Sequence, residues 1–292
     1  MQLAGIYIYP VKGCRGLSVI SAAVDALGLD GDRRFLIVDS AGKFITQRTH
    51  PQLALITTAI DERFLTLSHP GQGPLAIPRA SDPAARLLSV EVWKNHDLQA
   101  EDCGDEASEW MRTALGTPAR LVRIGPAFHR PIPAHKLPSS PTSVSGLSAL
   151  ASHLSASSAH SVSFADAYPF LVIGEASLAN LNDRLAEHAT EPLPMDRFRP
   201  NLVISGAPAF AEDTLTRFTI GDVTFRAAGP CARCIVTTTD QTTGERLGPE
   251  PLRTLAAYRR NPSDNNEVIF GQNLIHETKF GFLQIGDSVV PL

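Results

Sequence analysis

The chain has 292 residues, of which 43% are hydrophobic, and this is enough for one large domain or two smaller ones with packed cores. Its net charge of −4, with lysines and arginines scattered along the sequence, gives no basic surface of the kind that binds nucleic acid. The 4 cysteines are too few for a disulfide scaffold and lack the close spacing of a plant-type iron–sulfur site.

The N-terminal sequence MQLAGIYIYPVKG has neither a basic leader with a long apolar core nor a small-residue cleavage site. No stretch approaches the roughly 20 apolar residues that span a bilayer. We therefore expect a cytoplasmic protein with no membrane and no nucleic-acid partner, in which the cysteines stay reduced.

Short runs rich in β-branched and aromatic residues dominate the first third of the chain. Turn residues separate them at short intervals, which is typical of a β-barrel or β-sandwich. The predicted strands are LAGIYIYPV (3–11), RFLIVDS (34–40), KFITQR (43–48) and LSVEVW (88–93).

One helix is predicted in this region, over residues 105–115. Its apolar residues Ala107, Trp110, Met111 and Leu115 recur at near-helical spacing, and Asp105 is the predicted N-cap. We expect this helix to close the N-terminal barrel.

Residues 139–163 are rich in serine, with alanine, histidine and proline making up most of the rest. Such a composition buries little apolar surface, so we predict a flexible loop or linker. We place this loop inside a C-terminal domain of residues 126–292, which follows an N-terminal domain of residues 1–125.

The C-terminal half again consists mostly of predicted strands, with helices at EASLANLNDRLAEHA (175–189) and near PLRTLAAYRR (251–260). Strands and helices do not alternate regularly, so a doubly wound parallel sheet is a poor fit. We predict an α+β, predominantly β protein of two β-barrel domains with a few packing helices. The predicted strands are PFLVIGE (169–175), PNLVISG (200–206), RFTIGDVTF (217–225), CIVTTT (234–239), EVIFGQN (267–273) and GFLQIGDSVV (281–290).

Cys231 and Cys234 form a C-x-x-C pair, for which several interpretations stay open. The pair is half of a structural zinc site, but no second close pair of cysteines or histidines completes it. A thioredoxin-like dithiol normally opens a helix, whereas strand-forming residues follow this pair. Two buried, inert cysteines are a third interpretation.

The fourth interpretation is a single thiolate ligand to a soft metal whose other ligands come from a cofactor. In an extended segment the side chains at 231 and 234 point to opposite faces, so one sulfur can face a pocket while the other packs behind it. Arg233 lies between them, and a nearby cation favours the thiolate form.

Six motifs occur in the same order as in one protein family and cover nearly the whole chain. They are YPVKGCRG (9–16), DRRFLIVD (32–39), FADAYPFLV (164–172), FRPNLVISG (198–206), PCARCIVTTTDQTTGE (230–245) and FGQNL (270–274). Together they resemble the MOSC-domain molybdenum proteins, and more narrowly the mitochondrial amidoxime reducing components and their bacterial counterparts. The resemblance implies an N-terminal MOSC-type β-barrel domain, a C-terminal MOSC β-barrel domain, and a molybdopterin cofactor between them.

The resemblance also assigns residues to this cofactor. Cys234 directly precedes the Ile-Val-Thr-Thr run and matches the molybdenum ligand, with Cys231 as its neighbour. An arginine grips a phosphate with two hydrogen bonds and a lysine holds it as a point charge, which suits the phosphate terminus of the cofactor. The other residues matched to the cofactor are Lys12, Gly13 (a serine in the mitochondrial relatives), Arg33, Thr46, Arg48, Arg199, Asn201, Arg233 and Thr237.

The implied activity is the reduction of N-hydroxylated compounds, namely amidoximes, hydroxylamines and N-hydroxylated bases, to the amine or amidine and water. The cofactor would be molybdenum–molybdopterin without an added nucleotide, and it would carry the redox step. Electrons would come from a separate flavin, iron–sulfur or haem protein. Asp166 is the candidate catalytic acid, with ordered water as the alternative proton source.

Two other functions stay open at this stage. The chain also resembles the C-terminal domains of cofactor sulfurases, which would make it a molybdopterin carrier or sulfur-transfer module; we expect no pyridoxal phosphate-dependent desulfurase portion in it. The second is a small β-protein with a structural zinc at the Cys231 pair.

Overall fold

The computed structural model describes residues 1–138 and 160–292. Most of the predicted serine-rich loop, residues 139–159, therefore lies outside the described residues. Its last four residues are packed: Ser161 forms a β-bridge with Pro131, and Val162 and Ser163 are buried. The prediction of a flexible loop is therefore wrong for residues 161–163.

Strands make up most of the regular structure, and three α-helices accompany them in the described part of the chain. The prediction of a predominantly β protein with a few helices is confirmed. None of the described helices is long and apolar enough to cross a membrane. The helices are α1 (Asp105–Leu115), α2 (Glu175–Ala186) and α3 (Leu252–Tyr258). The strands are β1 (Gln2–Ile8), β2 (Leu17–Val19), β3 (Ser21–Asp25), β4 (Gly28–Leu29), β5 (Phe35–Val38), β6 (Thr57–Ile60), β7 (Phe64–His69), β8 (Gln72–Pro78), β9 (Leu87–Val92), β10 (Asn95–Asp102), β11 (Arg120–Arg123), β12 (Phe170–Gly174), β13 (Leu202–Ser205), β14 (Arg217–Ile220), β15 (Val223–Ala232), β16 (Arg260–Asn261), β17 (Asp264–His276), β18 (Gly281–Gln284) and β19 (Val289–Pro291).

A nine-stranded sheet forms the centre of the molecule, in the order β19-β14-β15-β17-β12-β13-β1-β2, with β16 paired to β17. Every described pairing in it is antiparallel except that of β12 with β13. The N-terminal strand β1 lies beside β13, with Ile6 opposite Leu202. The first strands of the chain thus belong to the same sheet as the C-terminal half.

The core of this sheet explains why its residues form strands. Phe170 and Phe225 are buried and meet edge to face, with ring centroids 5.1 Å apart. They pack against Ile6, Leu202 and Leu274 from neighbouring strands. Aromatic and β-branched side chains of this kind fit the half-buried surface of a pleated sheet.

Three smaller sheets complete the fold: β5-β11-β10-β9, β6-β7-β8 and β18-β3-β4. Helix α1 buries Ala107, Met111 and Leu115 against an apolar cluster that includes Leu65 of β7 and Leu121 of β11. This contact agrees with the expectation that α1 covers the N-terminal β-structure. The β18 pairing with β3 joins C-terminal and N-terminal residues a second time.

Two predicted strands are wrong, and threonine hydroxyls are the physical reason in both. In CIVTTT, residues Ile235–Thr238 form a 3-10 helix, in which the Thr237 and Thr238 hydroxyls donate to the carbonyls of Cys234 and Ile235. In KFITQR, only isolated bridges occur, at Lys43 and Phe44, and the Thr46 hydroxyl accepts the Arg48 N–H in the turn that follows. Local side-chain to backbone hydrogen bonds compete with strand pairing.

The predicted cap of α1 is one residue too late. Gly104 is the N-cap, with a φ of 95°, and Asp105 is the first helical residue. The Asp102 carboxylate accepts the Gly104 N–H, and the Asp105 carboxylate accepts from Arg120. Asp105 therefore joins an ion pair instead of capping the helix.

We predict that Gly271→Ala in β17 lowers the free energy of unfolding by about 3 kcal/mol, from left-handed backbone strain and overpacking together. Gly271 has a φ of 82°, and a Cβ there would lie 2.6 Å from Ile173 Cγ1 and 2.8 Å from the Val172 carbonyl oxygen. Gly286→Ala is the control, because φ is 98° there and nothing lies within 4 Å. It should cost only about 1 kcal/mol. Urea unfolding of both variants checks this, and equal losses would contradict the steric explanation.

Candidate functional site

All eleven residues predicted from the sequence line a single cavity of about 380 Å³. They come from segments far apart in the chain, between positions 12 and 237. The structure thus brings every predicted residue to one cavity. This shared location does not test what each residue does, so the individual roles stay predictions. The eleven are Lys12, Gly13, Arg33, Thr46, Arg48, Asp166, Arg199, Asn201, Arg233, Cys234 and Thr237.

Cys234 lies where β15 has ended and the 3-10 helix Ile235–Thr238 begins. It is the N-cap residue, in an extended conformation with φ −129° and ψ 178°. Its carbonyl accepts both the backbone N–H of Thr237, at 3.0 Å, and the Thr237 hydroxyl, at 2.9 Å. Thr237 is 1% exposed, so its hydroxyl fixes the backbone that presents the Cys234 thiol.

Cys231 also borders the cavity and packs against the apolar cluster that includes Phe198 and Phe270, so the orientation of the two sulfurs stays a prediction. The register of β15 shifts between Pro230 and Ala232, which breaks the strict alternation of side chains. Arg233 donates from Nη1 to Cys231 Sγ at 3.0 Å and from Nη2 to the Phe198 carbonyl oxygen at 2.6 Å. The guanidinium is therefore directed at Cys231.

A structural zinc finds no further ligands around this pair. A closed zinc site has four nitrogen or sulfur ligands. Within residues 1–138 and 160–292, no group of three or more His, Cys, Asp or Glu side chains is arranged to hold a metal ion. The zinc alternative therefore has no support in the described part of the chain.

Two arginines and a tyrosine form a rigid cationic wall. The guanidinium carbons of Arg199 and Arg33 lie 4.3 Å and 5.0 Å from the centroid of the Tyr9 ring. Both arginines have left-handed backbones, with φ 55° and 50°, which is uncommon for residues other than glycine. The Tyr9 hydroxyl donates to the Pro200 carbonyl and fixes the ring between them.

The partners of these two arginines differ. Arg33 Nη1 donates to Asp32 Oδ2 at 2.7 Å and to Asn201 Oδ1 at 3.1 Å. Arg199 has no ion pair with a described carboxylate; its side-chain contact is Gln241 Oε1 at 3.4 Å, and burial lowers its pKa. Arg199 is therefore the better placed of the two to hold an anion.

Asn201 is fully buried, and its amide is already used within the protein. Its oxygen accepts from Arg33 and from the Leu171 N–H, and its nitrogen donates to the Tyr7 carbonyl. These contacts make Asn201 a support for Arg33. The sequence motif predicted its location but not this internal bonding.

Asp166 is held on one carboxylate oxygen, Oδ1, by two donors. Lys12 Nζ forms a short contact with this atom, and Trp93 Nε1 donates to it at 2.8 Å. Loss of nearby water favours the neutral acid, although 71% of the side-chain surface is exposed, and the Lys12 ammonium and the two hydrogen bonds outweigh this effect and hold the pKa of Asp166 well below its ordinary value. Asp166 is therefore ionised at neutral pH and accepts hydrogen bonds, so this pKa does not favour it as a proton donor.

Lys12 is the counterpart of this carboxylate. Burial lowers its pKa to about 8, although the nearby Asp166 carboxylate acts in the opposite direction. Its pKa therefore lies closer to neutral pH than that of an ordinary lysine. Lys12 can therefore hold a proton beside the cavity and release it a little above pH 8.

Trp93, Phe44 and Gln47 also line the cavity, and the sequence reasoning missed them. Gln47 Nε2 donates to the Gly13 carbonyl at 2.7 Å and to Gln241 Oε1 at 3.0 Å, which joins two distant segments. Gly13 itself has a φ of 87°. None of the three lies in the six motifs, and Trp93 was predicted only as the last residue of the strand 88–93.

The cavity carries a surplus of positive charge. Five cationic side chains line it, namely Lys12, Arg33, Arg48, Arg199 and Arg233, against the carboxylates of Asp166 and Glu267. Arg233 Nε is buried without a hydrogen-bond partner. A buried polar atom of this kind favours a ligand that accepts its hydrogen bond. The cavity therefore fits an anion, together with a soft ligand at the Cys234 thiol.

Comparison with known proteins agrees with this arrangement. The family model described as MOSC N-terminal beta barrel domain matches residues 1–118, and the MOSC domain model matches residues 159–290. The chain belongs to the MOSC family. Human mitochondrial amidoxime-reducing component 1 is 34% identical over 98% of this chain and 82% of its own length. Bovine mitochondrial amidoxime reducing component 2 is 34% identical over 97% and 81%, and the mouse component 1 is 35% identical over 98% and 81%.

The MOSC assignment places the two halves of the site in two matched regions. Lys12 and Arg33 belong to the region that matches the N-terminal beta barrel model, whereas Asp166, Arg199 and Cys234 belong to the MOSC region. Strand β1 is part of the first region by sequence but pairs with β13 of the second. The cavity is therefore built jointly by both regions.

We predict that the affinity of this MOSC chain for inorganic pyrophosphate decreases as the pH rises from 7 to 9.5, because Lys12 loses its charge near pH 8. Lys12→Arg stays protonated throughout this range. At pH 9.5 the variant should therefore bind about tenfold more tightly than the wild type, and at pH 7 the two should be similar. Isothermal titration calorimetry at both pH values measures the ratio. A ratio that does not change with pH would contradict the assigned pKa.

Proposed function

We propose that this MOSC protein is a molybdenum cofactor-dependent reductase of N-hydroxylated compounds: amidoximes, hydroxylamines and N-hydroxylated bases. The observation that carries the proposal is that Cys234 and five cationic side chains line the same cavity. Further support comes from relatives named amidoxime-reducing components, which match at 34% identity over nearly the whole chain.

The residues of the cavity divide into two groups with respect to the cofactor. Cys234 Sγ would ligate molybdenum, because a thiolate suits a soft metal. Arg199, Arg33 and Lys12 would hold the phosphate terminus, since guanidinium and ammonium groups are the usual phosphate partners in proteins. A cavity of about 380 Å³ supports a cofactor without an added nucleotide.

Reduction of an amidoxime to an amidine and water needs two electrons and two protons. A molybdenum cofactor held at Cys234 would supply the redox chemistry for cleavage of the N–O bond, which amino-acid side chains cannot perform alone. The ionised Asp166 accepts a hydrogen bond from the N–H of the substrate and orients it. Lys12 holds a proton at Nζ next to this carboxylate. We further propose that the electrons reach the site from a separate flavin, iron–sulfur or haem protein.

The deciding experiment is metal analysis with cofactor extraction on protein made in a host that synthesises molybdopterin. Stoichiometric molybdenum together with reduction of benzamidoxime by the chemically reduced protein is the expected result. Stoichiometric molybdenum without turnover would instead favour a molybdopterin carrier or sulfur-transfer module. Zinc in place of molybdenum would overturn the proposal.

Cys234→Ser should abolish benzamidoxime reduction and remove the thiolate ligand, whereas Cys231→Ser should keep a substantial part of the activity. The physical reason is that Cys231 Sγ already receives the Arg233 guanidinium, while Cys234 stands at the start of the turn fixed by Thr237. Steady-state kinetics and molybdenum content measure both effects. Equal losses in the two variants would show that the ligand is assigned wrongly or that both sulfurs are required.

Arg199→Met should lower molybdenum cofactor occupancy by about tenfold, because it removes a charged donor that has no carboxylate partner among the described residues. Arg253→Met is the matched control, since Arg253 is an exposed arginine paired with Glu250 away from the cavity. Occupancy is read from metal analysis of equally purified proteins. Full occupancy in Arg199→Met would remove Arg199 from the binding site.

A further inference from the structure

A second, larger cavity adjoins the first one on the outer side of Asp166. Its volume is about 1050 Å³, and it shares the side chains of Phe44, Arg48, Trp93 and Asp166 with the cavity that contains Cys234. Its own wall is largely apolar, with Ile45, Pro118, Pro131, Ile132, Pro133 and Val162. A cavity of this size and lining suits a small organic molecule.

Trp93 forms the wall between the two cavities. It is the first residue of the two-residue loop that joins β9 to β10, and its φ is 55°. Hairpin loops normally place glycine, asparagine or aspartate at such positions, because a Cβ is unfavourable there. A bulky residue persists in a strained conformation only where the surrounding structure holds it, and such strain clusters at functional sites.

Three contacts hold the indole of Trp93. Its Nε1 donates to Asp166 Oδ1 at 2.8 Å, and the Phe44 ring meets it edge to face at a centroid distance of 4.9 Å. The Arg48 guanidinium carbon lies 4.4 Å from the centroid of the indole. Arg48 and Trp93 thus form one flat, cationic surface at the passage between the cavities.

The outer cavity also carries excess positive charge. Arg48, Lys43, Lys94 and Lys136 line it, and none of them forms an ion pair with a described carboxylate. Of its acidic residues, Asp166 is neutralised by Lys12, which leaves Asp39 and Glu91. A cavity with this balance attracts a negatively charged ligand.

Arg130 holds the backbone around Asp166 in place. It is 4% exposed, and its guanidinium donates to the carbonyl oxygens of Ser163, Ala165 and Asp166. These bonds fix the backbone that carries Asp166. The carboxylate is therefore held by its backbone and by Trp93 on the side of the outer cavity, and by Lys12 on the side of the inner one.

We propose that the outer cavity holds the non-reacting part of the substrate and selects flat N-hydroxylated compounds that carry a negative charge, with the Arg48 guanidinium, stacked on Trp93, as both the flat surface and the counter-charge. This inference rests on the proposed function and adds the substrate class to it. The reacting N–O group would lie beyond Trp93, beside Asp166 and in reach of the inner cavity.

The kinetic test compares benzamidoxime with 4-carboxybenzamidoxime on the molybdenum-loaded protein. The wild type should prefer the carboxylated substrate by about fivefold in kcat/KM, as an exposed charge pair allows. Arg48→Met should bring the ratio of the two kcat/KM values close to one, because both substrates are compared on the same variant. Arg63→Met is the matched control, because Arg63 also stacks on an aromatic ring, Phe64, but lines neither cavity.

The binding test uses tryptophan fluorescence, since the chain contains only 2 tryptophans. Titration of the molybdenum-loaded protein with 4-carboxybenzamidine, the product of the carboxylated substrate, should quench the emission. The quenching should persist in Trp110→Phe, because Trp110 lies on α1 with its Nε1 bonded to the Gly73 carbonyl. It should be lost in Trp93→Phe, and Arg48→Met should weaken the fitted affinity about fivefold.

The two tests separate the inference from the function on which it rests. Suppose that the loaded protein reduces both amidoximes with the same ratio of kcat/KM values in the wild type and in Arg48→Met. In that case the outer-cavity inference is wrong and the reductase proposal stands. If it reduces neither, the reductase proposal fails, and the fluorescence titration alone decides the binding site. Quenching that survives in Trp93→Phe, or that never occurs, would overturn the inference.

Discussion

The site depends on the insertion of the N-terminal strand β1 next to β13 in the central sheet. Because the two strands are antiparallel, the residues that follow β1 and the residues that precede β13 lie at the same end of the sheet. Asp32, which is 2% exposed, secures the junction because its carboxylate accepts both the Tyr9 N–H and the Arg33 guanidinium. The Tyr9 hydroxyl then reaches the Pro200 carbonyl on the other segment. Without this junction Lys12 and Arg33 would not share a cavity with Arg199.

The junction between the segments around Tyr9 and Pro200 also explains why three cations, Lys12, Arg33 and Arg199, can lie close together. Arg33 is neutralised by Asp32 and Lys12 by Asp166, so Arg199 is the member of the group whose charge has no carboxylate partner in the described chain. Stacking on the Tyr9 ring offsets part of the cost of burying two guanidinium groups side by side. The fold therefore concentrates one uncompensated positive charge where a bound anion would lie.

The sequence predicted which residues line the cavity far better than it predicted the local backbone structure of those residues. The six motifs contain nine of the eleven predicted residues, and Thr46 and Arg48 come from FITQR (44–48), which matches the same family pattern. Each of these segments is short, so its residues stay together in any fold. Strand propensity failed at residues 235–238 and 43–48, where threonine hydroxyls bond to the nearby backbone. Trp93 was missed because its role comes from a hairpin that places it against Asp166, 73 positions away in sequence. Such a contact leaves no trace in composition or periodicity.

Asp166 links the chemistry of the two cavities. Its Oδ1 receives the donors from both sides, Lys12 and Trp93, and no described residue donates to its other oxygen. The free oxygen can therefore accept a hydrogen bond from a substrate, and this bond is strongest while the carboxylate stays ionised. The charge on Lys12 is the main factor that keeps it so against the effect of burial. Because Lys12 also faces the anion-binding side, an anion bound there would stabilise its proton and, through it, the ionised carboxylate presented to the substrate. An anion in the inner cavity would thus favour the protonated form of Lys12, which pairs with Asp166 at the border of the outer cavity.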